Sequence, residues 1–165
     1  MNNPNPHKYG AVQIFCDPAN YLSHSLERTE KCTLRFPSKY EYKVYCALTA
    51  YLTRTNRNYL EPRYFLECQF QITLLSKTVL TSAINHIVDF VIRDNQAAFN
   101  PALYVEAKGQ FLPEYNQKMK LLQALKPNVY SRYLVISDNE PPKSYTSYYG
   151  QFKKIEAALY ALGIK

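Results

Sequence analysis

The chain has 165 residues, with 20 Lys and Arg against 13 Asp and Glu, a net charge of +7 and a pI near 9.2. That length suits one domain around a single core. An apolar fraction of 47% with 15% aromatic residues excludes wholesale disorder, and no apolar run is long enough to cross a bilayer.

The excess of positive charge favours a nucleic-acid partner, because cations that neutralise phosphates release counterions. Basic residues run from Lys8 to Lys165, so any binding face has to be assembled by folding. Cys16, Cys32, Cys46 and Cys68 form no CxxC pair, which speaks against zinc. The Asn/Pro-rich opening, residues 1–7, does not read as a signal peptide and is expected to fray. A cytoplasmic location with reduced thiols is the expectation.

Taken in chain order, residues 1–37 read as a partly irregular N-terminal extension, with no firm period over 9–35. Residues 38–165 read as the main domain. Ser38-Lys39-Tyr40-Glu41 is a capping box directly after Pro37, and Tyr40, Val44, Leu48 and Leu52 recur at helical spacing. The pattern predicts a helix over 39–53 that ends in the polar run 54–58. Residues 65–74 alternate, with Cys68, Phe70, Ile72 and Leu74 on one side and Glu67, Gln69, Gln71 and Thr73 on the other, as in a half-buried strand.

Residues 76–85 read as an irregular connection or a single helical turn. Two more strands are predicted over 86–92 and 102–107, joined by a turn across 94–101. A helix follows over Pro113–Leu125 with Met119, Leu122 and Leu125 inward, stopped at Lys126-Pro127. A fourth strand over 133–137, a proline-containing loop over 139–143 and a last helix over 150–162, capped by Gly163, complete the reading. The order implies an α/β fold: a mixed central sheet of about four strands flanked by helices, with the Pro113–Leu125 helix as crossover.

Two of these strands carry charge where strands rarely keep it. Asp89 stands alone in His86-Ile87-Val88-Asp89-Phe90-Val91-Ile92, and Glu106 and Lys108 close the run Leu103-Tyr104-Val105-Glu106-Ala107-Lys108-Gly109. A buried carboxylate needs a partner or a cation. Side chains alternate along a strand, so Glu106 and Lys108 share a face. If the two strands are neighbours, Asp89 joins them in an oxygen-rich site of the kind Mg²⁺ prefers. Around it, Gln69 or Gln71, and Glu67 with them, are candidates to extend toward the site, although a polar strand face explains all three, and His86 is explained by a strand start. Lys118 and Lys120 are candidates for phosphate contact or for a solvated helix face.

These residues resemble the signature of the PD-(D/E)xK nuclease superfamily: an Asp entering one strand, acid-x-Lys ending the next, and an upstream helical Glu. Val88-Asp89 stands where Pro-Asp is usual, Glu106-Ala107-Lys108-Gly109 matches the second half, and Glu41 matches the upstream acid. The resemblance spans roughly 38–137 and is strongest toward phage junction-resolving endonucleases and related short phage nucleases.

It implies a restriction-endonuclease-like core and metal-dependent DNA cleavage in the cytoplasm of a bacterium or phage-infected host. Mg²⁺, with Mn²⁺ as substitute, would be held by Asp89, Glu106 and the Ala107 carbonyl, with Glu41 on a second ion. Lys108 would act on the attacking water or the phosphate. It also implies a homodimer and a preference for branched DNA. Two alternatives stand beside it: a sequence-specific endonuclease of homing, restriction or transposon-end type, reading bases with 1–35 and 76–85, and a non-catalytic DNA-binding protein of the same fold.

Overall fold

The computed structural model describes residues 12–56, 61–97, 101–141 and 148–165. Two sheets are present among them. The smaller is antiparallel, in the order β2-β1-β3, from β1 (Ile14–Asp17), β2 (Asn20–Ser25) and β3 (Leu34–Phe36). The segment that reads as partly irregular in sequence therefore holds three strands. They are too short to show a period of two, and β2 has no buried residue to mark it.

The larger sheet has five strands in the order β4-β5-β6-β7-β8: β4 (Tyr64–Leu75), β5 (Ile84–Asp94), β6 (Pro101–Ala107), β7 (Tyr133–Ile136) and β8 (Tyr148–Gly150). The first three are antiparallel, and β6-β7-β8 run parallel. Its helices are α1 (Lys39–Thr55), α2 (Pro113–Leu125), the one-turn α3 (Pro127–Tyr130) and α4 (Ile155–Ala161). The fold is thus α/β with a mixed sheet, as expected, but with five strands in that sheet where about four are predicted.

The fifth strand explains the difference. Residues 150–162 read as one helix, yet Gly150 ends β8, a 3-10 turn spans Phe152–Lys154, and α4 begins only at Ile155. A Cβ on Gly150 would come within 3.1 Å of Ile136 and 3.2 Å of Ala158, so the missing side chain lets α4 pack closely on β8. Gly163 does cap this helix, with φ +89°. The Lys126-Pro127 stop holds for α2, although Pro127 itself opens α3. The predicted features at 1–7, 57–58, 98–100 and 142–143 lie outside the described residues.

Each face of the large sheet carries its own core. On one, α1 buries Val44, Leu48 and Leu52 against Phe90, Ile92, Leu103 and Val105, and Ile14, Cys16 and Phe36 of the small sheet join the same cluster. Arg54 pairs with Glu156 and ties α1 to α4. On the other face, α2 buries Tyr115, Met119 and Leu122 against Val91, Tyr104, Tyr133 and Val135. Leu125 is 43% exposed; Tyr115, one turn before Met119, takes the inward place expected for it.

The long β4–β5 hairpin changes faces half-way along. Leu66 and Cys68 pack toward the α1 core, whereas Phe70, Ile72 and Leu74 pack with the α2 core. The simple alternation read from the sequence breaks at Gln69, whose φ of 57° lies in the left-handed region. Register runs Cys68↔Phe90 and Phe70↔Val88 across the break, which sets Gln69 opposite Asp89. The fold therefore turns one strand pair over at the position of the isolated acid.

Candidate active site

Asp89 lies at the centre of β5, flanked by the fully buried Val88 and Phe90, and is itself only 9% exposed. The β5–β6 register pairs Phe90 with Val105, so Asp89 stands opposite Glu106 where the regular pairing gives out. There the Asp89 side chain replaces the ladder: its Oδ2 accepts from the Ala107 amide at 2.8 Å. That bond fixes one carboxylate oxygen. Burial, then the charges of Glu106 and Glu41, push the Asp89 carboxyl well above the usual range.

Glu106 is 2% exposed, and both of its oxygens are engaged. Oε1 meets Lys108 Nζ at 2.5 Å, and Oε2 accepts from the Tyr133 hydroxyl at 2.8 Å. Glu106 and Lys108 do share a face, as the alternation predicts. The Lys108 ammonium also lies over the Tyr115 ring, 4.5 Å from its centre. Burial works against its charge, but Glu106, Asp89 and Glu41 together outweigh it and push the pKa up, so Lys108 is cationic at neutral pH.

Glu41 reaches the cluster from the first turn of α1. Only half of the expected capping box forms: the Glu41 amide donates to Ser38 Oγ at 3.1 Å, while the Glu41 carboxylate accepts a long 3.4 Å bond from that hydroxyl. Its Oε2 is buried with no hydrogen-bond partner. Burial and the charge of Glu106 push its carboxyl up to about 7. A capping glutamate pointed at solvent would show neither feature.

Behind Glu106 lies a group that the sequence does not reveal. His86 sits inside β5 rather than at its start, is 3% exposed, and bonds through Nε2 to the Tyr133 hydroxyl at 2.7 Å. Tyr133 has one hydroxyl hydrogen and gives it to Glu106, so Nε2 of His86 is the donor to Tyr133. Burial lowers the His86 pKa and keeps the ring neutral, which that tautomer requires. The only sequence signal was a tyrosine and a histidine inside apolar strands, where each needs a polar partner.

The cluster opens into a cavity of about 570 Å³ lined by Gln69, His86, Asp89, Glu106, Lys108 and Lys118. Lys118 thus faces the site, whereas Glu67 turns away to Arg93 at 2.6 Å. Gly109, the end of the Glu106-Ala107-Lys108-Gly109 motif, has open space around a would-be Cβ; its carbonyl accepts from Asn139.

Among the described residues, no three His, Cys, Asp or Glu side chains converge as a ready-made metal cage. Glu106 nonetheless stands close enough to Asp89 and to Glu41 to raise the proton affinity of both, and one Glu41 oxygen is buried without a partner. Such a site is short of positive charge. The donors fit Mg²⁺, which takes one or two carboxylates and keeps several waters.

Comparison with protein-family models, curated proteins and solved structures returned no match. Among the described residues no helix is long and apolar enough to cross a membrane.

Proposed function

We propose that the chain is a Mg²⁺-dependent endodeoxyribonuclease of the PD-(D/E)xK superfamily with a restriction-endonuclease-like core. The supporting observation is the convergence of Asp89, Glu106 and Lys108 on one cavity, two acids from neighbouring strands and a cation beside them. Asp89, Glu106 and the Ala107 carbonyl hold the ion, Mn²⁺ substitutes for it, and Glu41 takes a second. When bound, the ion supplies Lewis-acid activation of water and phosphate.

The protein's own groups do the rest. The Ala107 amide holds Asp89 in one rotamer, and Tyr133, anchored by His86, holds Glu106. Lys108 keeps its proton at neutral pH, so it serves as a fixed charge against the phosphate oxygens or as a donor that orients the attacking water, not as a base. Lys118, at the cavity wall, contacts the DNA backbone.

The preferred substrate in this reading is branched DNA, cut by a homodimer acting in the cytoplasm of a bacterial or phage-infected cell. Two opposed cuts call for two sites related by a two-fold axis. The test is incubation with Mg²⁺ and four-way, flapped, linear and single-stranded DNA. Paired nicks in the four-way junction favour the reading, and cutting of linear duplex at one sequence favours a sequence-specific enzyme.

A further inference from the structure

Gln69 is the only non-glycine residue with positive φ among the described residues. Glutamine has no special tolerance for that backbone region, and such outliers persist where the surrounding structure holds them against a cost. It lies on β4, the edge strand of the large sheet, opposite Asp89. Its side chain is exposed, and among the described residues nothing bonds the carboxamide.

Gln69 also belongs to two cavities at once. One is the 570 Å³ cavity of Asp89, Glu106 and Lys108. The other, of about 440 Å³, shares Gln69 with it and is lined by Leu34, Arg35, Pro37 and Cys68. Arg35 is exposed there; its guanidinium lies against the Gln13 carboxamide oxygen, and no carboxylate among the described residues pairs with it. A path of this kind, with acids and a cation at one end, a neutral donor at the crossing and a guanidinium beyond, suits a sugar-phosphate strand.

Resting on the nuclease reading, we propose that the cleaved strand crosses the β4 edge at Gln69. The Gln69 carboxamide donates to an oxygen of the scissile phosphate, and Arg35 binds a neighbouring phosphate in the second cavity. The left-handed backbone at 69 is what aims the carboxamide into the site. A neutral amide is the suitable donor there, since a carboxylate would add a further acid beside Asp89, and a phosphate would be repelled.

The experiment compares wild type, Gln69→Gly, Gln69→Glu, Arg35→Ala and Lys108→Met on one labelled four-way junction and on its linear arms, with Mg²⁺. Gln69→Gly relaxes the backbone and removes the donor, so its urea midpoint rises while kcat falls by roughly 10²-fold, the scale of a lost transition-state donor. Gln69→Glu, which keeps the size, loses turnover as well. Arg35→Ala raises KM more than it lowers kcat, and its log-log salt slope falls by about one.

Wild-type kcat in Gln69→Gly overturns the proposal, because the positive φ then serves only the turn-over of the hairpin. If that variant does not fold, wild-type turnover by Gln69→Glu overturns it equally. An unchanged salt slope in Arg35→Ala removes the second half of the path. Should wild type cleave neither substrate faster than Lys108→Met does, the nuclease reading fails instead, and the two failures stay distinct.

Discussion

Tyr133 and Glu106 are joined by a buried 2.8 Å hydrogen bond that runs diagonally across the parallel β6–β7 pair. Tyr133 is paired in register with Tyr104, two residues before Glu106, so its ring reaches along the sheet face to the carboxylate. With His86 behind it, the tyrosine connects a neutral imidazole to an acid that also touches Lys108.

This connection makes Tyr133→Phe informative. The substitution keeps the ring but leaves the His86 N–H and one Glu106 oxygen without their partner. Leaving buried polar groups unpaired costs about 1–3 kcal/mol, and loss of a group that orients a metal ligand weakens metal affinity by about 10-fold or more. Denaturant unfolding checks the first figure and calorimetric titration with Mn²⁺ the second. An affinity equal to that of wild type would show that Glu106 needs no support from Tyr133.

The raised proton affinities of Asp89 and Glu41 set the pH dependence of the metal-free protein. The folded chain holds these protons more tightly than the unfolded chain does. Their contribution is therefore most favourable below the ordinary carboxyl pKa and is lost as pH rises, through about 7 for Glu41. Without divalent ions, stability should fall between about pH 4.5 and 7. Glu41→Gln should flatten that slope, and millimolar Mg²⁺ should offset it at pH 8. A metal-free protein equally stable at pH 5 and pH 8 would contradict the prediction.

Lys108→Met separates chemistry from binding. The Lys108 ammonium lies against Glu106 and Tyr115 inside the cavity, not on an open surface. The variant should lose activity by roughly 10²–10³-fold with DNA affinity nearly unchanged, as for an interaction made chiefly in the transition state. Single-turnover rates and a binding titration on the same DNA decide it. An affinity that falls as steeply as the rate would reduce Lys108 to a phosphate contact.

The sequence made the site more legible than its surroundings. Asp89, Glu106 and Lys108 stood out because charge inside an apolar strand is rare and alternation fixes which residues share a face. The α1 and α2 boundaries followed from Ser38 and from Pro113 and Pro127, since caps and prolines act locally. What stayed hidden depends on distant partners. The three short strands before Phe36 pair with one another and pack on α1, and Tyr148–Gly150 becomes a strand only because β7 is beside it. Gln69 is a candidate neighbour of the site in the sequence, but the reversal of the strand there is not legible, since alternation carries no trace of a positive φ. His86 and Tyr133, 47 residues apart, are linked only by the sheet.

The central claim is tested most directly with Asp89→Asn beside wild type, on the four-way, flapped, linear and single-stranded DNA panel, with Mg²⁺ and with a chelator. The substitution keeps the shape and removes the charge that Glu106 and Glu41 oppose, so the variant should fold and be at least as stable as metal-free wild type. Wild type should cleave at least one of these DNAs with Mg²⁺ and none with the chelator, and folded Asp89→Asn should cleave none. Cleavage by Asp89→Asn at the wild-type rate, or no Mg²⁺-dependent cleavage of any DNA by wild type, would contradict the account.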